Sequence, residues 1–126
     1  MAEVRRPEAT VKISDEVVAT LAAVAATSVE GVAGLSAGLV GDLSSALGRR
    51  GGPQGVKVEV GEREAALDLY LVVKYGVRIP EVAHRVQQVV KKSIEEMTGL
   101  KVVEVNIHVQ GVVFPPVRKG ERGGPA

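Results

Sequence analysis

The chain has no cysteine and no tryptophan, and only three of its 126 residues are aromatic: Tyr70, Tyr75 and Phe114. The first absence excludes disulfides and thiolate chemistry, and it fits a reducing compartment. The scarcity of rings leaves a core to be built from Val, Leu, Ile and Ala, in a chain that is 45% apolar. Neither sign of charge is in excess: sixteen basic residues stand against fifteen acidic ones, for a net charge of +1. Nothing electrostatic therefore points to bulk nucleic-acid binding. No apolar run reaches transmembrane length. The opening MAEVRRPEATVKIS lacks the apolar region of a secretory signal. A cytoplasmic protein is expected. Also absent are a phosphate-cradling Gly-Lys-Ser/Thr loop, a metal-spaced Cys/His cluster and a nucleophile elbow. No cofactor, no metal and no enzymatic activity are implied.

What is present is clearest between Val77 and Val109. Pro80 suits the first position of a helix, where its missing N–H costs nothing. Val82, Val86, Val89, Val90, Ile94 and Met97 recur at spacings of three and four, which makes one apolar stripe. Gly99 reads as the left-handed residue that stops the helix. The period then becomes two. Val103, Val105, Ile107 and Val109 face one way, and Glu104, Asn106, His108 and Gln110 face the other.

The remainder follows from the same two periods. Residues 1–10 are charged, contain proline and are expected to be flexible. Residues 11–114 form one α+β domain. Ser14 is placed to cap a helix whose apolar stripe is Val17, Val18, Leu21, Val24, Ala25 and Val29. Residues 34–55 read as a Gly-rich loop in which Leu39, Leu43 and Leu47 keep the spacing of a short helix. Val56 to Val60 and Leu67 to Tyr75 alternate as two strands of a hairpin. Residues 115–126 have the composition of a disordered tail. The order is helix-strand-strand-helix-strand. The economical arrangement is a two-layer sandwich, a three-stranded sheet with two helices packed on one face.

Three features can carry function. The open sheet face would show Tyr70, Val72, Glu104, Asn106 and His108, among charges that include Lys57, Asp68 and Lys74. It is either solvated or a protein–protein contact. An acid–base site of Asp68, Tyr70 and His108 is the enzymatic alternative on the same face. The Leu39, Leu43 and Leu47 stripe is either a flap over the core or a docking helix. Gly31-Val32-Ala33-Gly34 has the spacing of a KH-type RNA-binding loop, and Arg49 to Gly52 and Arg122 to Gly124 resemble Arg-Gly elements. A small RNA-binding module is thus the alternative to an interaction protein, although the overall charge disfavours nucleic acid.

Glu30-Gly31-Val32, Tyr75-Gly76, Ile79 through Val82, and Met97-Thr98-Gly99-Leu100 running into Val105-Asn106 together carry a resemblance. Over Val11 to Val113 the chain resembles the alkaline-shock, glucose-starvation-inducible envelope stress response proteins of Gram-positive bacteria. The resemblance implies a small cytosolic, non-enzymatic protein linked to cell-envelope homeostasis. It also implies a protein partner or self-association, because some members are held at the membrane by a separate small anchor protein. That family has no catalytic motif, so no catalytic residue is carried over.

Overall fold

The computed structural model describes residues 2–6, 9–36 and 55–114. Its elements are β1 (Ala2–Arg6), β2 (Ala9–Ile13), α1 (Asp15–Thr27), β3 (Val32–Leu35), β4 (Val56–Val60), β5 (Glu64–Lys74), α2 (Ile79–Thr98) and β6 (Lys101–Val113). The class is the expected α+β sandwich, with more strands than the alternating pattern reveals.

β5 is the centre of the main sheet. β6 runs parallel to it along its whole length, from Glu64↔Lys101 to Lys74↔Val113. The opposite edge of β5 is shared end to end by two antiparallel strands. β4 pairs with its first half, from Val60↔Ala65 to Val56↔Leu69. β3 pairs with its last part, from Leu35↔Leu71 to Val32↔Val73. β3 corrects the reading of 34–55 as loop, since Gly34 and Leu35 are already in the sheet. Four residues that include a glycine are too short for a period to show. A second correction concerns residues 1–10: β1 and β2 pair antiparallel from Ala2↔Ile13 to Arg6↔Ala9. Ala2 has no exposed surface and joins the core, which ties down a segment whose composition reads as loose. The Leu39, Leu43 and Leu47 stripe and the 115–126 tail lie outside the described residues.

Ser14 caps α1, accepting the Val17 N–H on its hydroxyl at 3.3 Å. The buried side of α1 is Val18, Ala19, Ala22, Ala25 and Ala26. Val17 and Val24, expected in the stripe, are 47% and 65% exposed. The helix is rotated from the expected face because its alanines allow the closest approach to α2 and to β3 and β4. α2 buries Val82, Val86, Val90, Ile94 and Thr98. Thr98, not Met97, takes the last inward position. Its hydroxyl donates to Ile94 O at 2.6 Å and accepts the Leu100 N–H at 3.0 Å, so its burial leaves no polar group unpaired. Gly99 adopts the expected left-handed conformation, with φ of 82°.

Both helices lie on one face, over Leu67, Leu69 and Leu71, which are fully buried. Two bulges adjust β6 to β5, at Val103 and at Gln110, where the paired register skips a residue. The first turns Val102 inward and Val103 outward, with 3% and 50% exposure, reversing the assignment that strict alternation makes for Val103.

Candidate interaction surface on the open sheet face

The face of the sheet away from the helices is built by alternation. With Leu67, Leu69 and Leu71 turned to the core, β5 presents Ala66, Asp68, Tyr70, Val72 and Lys74 on the other side. The parallel register sets Ala66 beside Glu104, Asp68 beside Asn106, Tyr70 beside His108 and Val72 beside Gly111. β4 adds Lys57 and Glu59, opposite Asp68 and Ala66.

The side chains on this face are organised. The imidazole of His108 stacks on the ring of Tyr70, with centroids 4.5 Å apart and planes 11° from parallel. Its Nε2 lies 3.0 Å from Asp68 Oδ1, a pair whose side chains are 42% and 37% exposed. That hydrogen bond holds the Asp68 carboxyl below its ordinary value against a partial desolvation that opposes it. The Asn106 amide and the charges of His108 and Lys57 add to the lowering. Asp68 is therefore ionised at neutral pH and accepts the Nε2 proton. Asn106 Nδ2 donates to Glu104 Oε2 at 2.9 Å. A polar depression of about 320 Å³ lies alongside, lined by Lys57, Glu59, Ala66, Asp68, Glu104 and Asn106 among others.

Tyr70 also marks where the chain leaves and rejoins the sheet. Its carbonyl accepts the Ser36 N–H at 2.7 Å, and its own N–H donates to Gly55 O at 2.8 Å. The two strands on that edge are pinched together at this level. A Cβ on Gly55 would stand 2.9 Å from Leu35 Cβ and 3.0 Å from Ser36 O, so only glycine fits. Ser36 and Gly55 thus both stand beside Tyr70. Ser36 Oγ donates to Gln110 Oε1 at 3.2 Å, tying the edge column to β6.

Tyr70, Val72, Glu104, Asn106 and His108 are thus brought onto one face, as alternation predicts. Asp68, Tyr70 and His108 meet on a surface open to water, and the nearby Ser36 hydroxyl is turned to Gln110. The group offers hydrogen-bond donors, acceptors and a stacking plane. The RNA-type loop does not form: Val32, Ala33 and Gly34 are strand β3, and Gly31 O accepts the Lys74 N–H at 2.9 Å. A second aromatic pair escapes sequence reading. Tyr75 and Phe114 stack with centroids 4.6 Å apart at the end of β5 and β6. They are 62% and 65% exposed, next to Val112 and Val113 at 45% and 44%. The signal that finds them is scarcity: a chain with three aromatics places none of them in its core.

The family model that matches residues 3–114 is that of the alkaline shock protein 23 family, described as having a cell envelope-related function. The chain belongs to this family. Its relatives include the uncharacterized protein YloU of Bacillus subtilis, 37% identical over 112 residues, covering 87% of this chain and 93% of that one. The uncharacterized protein YqhY of the same species is 36% identical over 104 residues, with 82% and 77% covered. A stress response regulator gls24 homolog of Streptococcus pyogenes is 31% identical over 96 residues, which are 75% of this chain and 54% of that protein. Among solved structures, a nickel form of the MamM CTD is similar in fold alone. It shows a TM-score of 0.47 and 14% identity over 76% of this chain and 96% of that chain. Among the described residues, no helix is long and apolar enough to cross a membrane. None of their acidic and histidine side chains forms a group of three or more that could hold a metal ion.

Proposed function

We propose that this alkaline shock family protein is a non-enzymatic interaction module of the envelope stress response. It acts by self-association or by binding a membrane-anchored protein partner, and the open sheet face is the surface that meets the partner. The carrying observation is the Tyr70–His108–Asp68 cluster, a stacked and hydrogen-bonded group held on an outward face. Aromatic rings fixed at a surface lose little entropy on binding and contribute most of the energy of many interfaces. Val72, Glu104 and Asn106 surround the cluster as rim. Leu39, Leu43 and Leu47, in the sequence between Ser36 and Gly55, supply a second contact.

The test uses the full chain as bait on a solubilised membrane fraction. Tyr70→Ala is expected to reduce recovery of a co-purifying protein by on the order of tenfold or more. Gln88→Ala, on the outer side of α2, is expected to leave recovery unchanged. Folding is checked by circular dichroism. Equal recovery by Tyr70→Ala and the parent chain would remove the open face from the contact.

A further inference from the structure

Among the described residues β6 is an edge strand, and α2 covers only part of its edge. Glu95 Oε2 accepts the Val102 N–H at 2.9 Å, and Lys91 Nζ reaches Val102 O at 3.5 Å. Gln87 Nε2 donates to Val105 O at 3.0 Å. These three residues are spaced by four, so they form one column along the helix. The next members of that column are Ala83 and Ile79, and neither has a polar side-chain atom to offer. The covering therefore stops at Val105.

The N–H and C=O of a strand residue point to the same edge, and successive residues alternate. The backbone groups of Val102 point to the open edge. The bulge at Val103 makes Val105 the next residue to do so, and Ile107 and Val109 follow. Among the described residues, the edge-facing backbone groups of Ile107 and Val109 meet no partner. Edges of this kind are usually blunted by charge, proline or a covering side chain. Among the described residues, the edge-facing positions beyond Val105, namely Ile107 and Val109, carry none of them.

We propose that this stretch is a strand-pairing seam, occupied by the same stretch of a second copy of this chain. The proposal rests on the reading of the protein as a self-associating module and supplies the seam. The two strands run antiparallel about a two-fold axis at Ile107, so each Ile107 exchanges both backbone bonds with the other. Val105 of each copy stands opposite Val109 of the other, and the Val105 carbonyl has a second lone pair beside the one Gln87 uses. The stretch is complementary to itself. Asn106 falls opposite His108, amide against imidazole, and Glu104 falls opposite the neutral Gln110. No like charges meet, and Val105 packs against Val109 on the helix side. The bulge at Gln110 ends the regular run, which fixes the register. The pairing is isologous and closes at two copies. It joins the two open faces into one surface, with both Tyr70–His108–Asp68 clusters on the same side.

The test is sedimentation equilibrium of the full chain over a range of concentrations. The parent chain is expected to dimerise reversibly, because a seam this short makes a small interface. Ile107→Pro removes the edge-facing N–H and leaves the β5 ladder intact. Ala83→Lys extends the covering column and changes no strand residue. Each is expected to raise the dimer dissociation constant by at least about tenfold with the circular dichroism spectrum unchanged. If Ile107→Pro does not fold, Ala83→Lys decides alone. Tyr70→Ala is expected to dimerise normally, so failure of the open-face contact and failure of the seam are read separately. A parent chain that stays monomeric up to on the order of 1 mM overturns the proposal, as does a dimer that Ala83→Lys leaves untouched. A chain that dimerises only when residues 115–126 are removed makes its own tail the occupant, and also overturns it.

Discussion

Leu69→Ala is expected to lower the free energy of unfolding by about 3 kcal/mol, a large share of the stability of a domain this size. Leu69 has no exposed surface. It sits mid-way along β5, the strand with neighbours on both edges, opposite Val56 of β4 and Ile107 of β6. The helices close over it, so the lost methyl groups leave a cavity that strands paired on both sides cannot collapse to fill. With no aromatic ring in the core, no large neighbour can swing into the space. Val103→Ala is the matched contrast, since Val103 is 50% exposed at its bulge and should change stability by less than about 0.5 kcal/mol. Urea unfolding followed by circular dichroism checks both. The Leu69→Ala midpoint should fall by on the order of 2 M with the slope preserved.

Gly31→Ala is expected to cost about 2 kcal/mol, for two independent reasons. The residue turns the chain from α1 into β3 with φ of 101°, where a Cβ is disfavoured. A Cβ there would also stand 2.9 Å from Cγ2 of Val82, in the first turn of α2, and 3.3 Å from Val77 Cγ1. Gly34→Ala, three residues on, meets nothing within 4 Å and has no positive φ, so it should fall within about 0.5 kcal/mol of the parent. The pair separates the two meanings of Gly-Val-Ala-Gly. A nucleotide-clamping loop would need both glycines for binding. A helix-to-strand turn needs only the first, for folding. The same urea titration distinguishes them.

The fold was legible wherever a period ran long enough. α2, with its proline start and glycine stop, and the alternating β5 carry the architecture, and both read directly from residue spacing. The misses have physical causes. β3 is four residues long and includes a glycine, and its pairing with Leu71, Val72 and Val73 of β5 is a tertiary fact without a local pattern. α1 is so rich in alanine that its apolar arc is wider than its buried arc. Packing against α2 then chose the alanines and left Val17 and Val24 outside. The bulge at Val103 reversed that residue's face because alternation assumes that no residue is skipped. The open face was legible as a row of residues, and Asp68, Tyr70 and His108 as neighbours on it, but not their geometry. The stack of Tyr70 on His108 and the His108–Asp68 bond depend on the β5–β6 register, and no feature of either strand alone specifies it.

The open face around Tyr70, and not the charged outer side of α2, is expected to meet the protein's partner. Site-specific photo-crosslinking in cells tests it most directly. Tyr70 is replaced by the photo-reactive p-benzoylphenylalanine in one full-length chain, and Gln88 in another. Irradiation is expected to give adducts with an envelope partner from position 70 and none from position 88. Adducts from position 88 alone, or equally from both, would contradict the account.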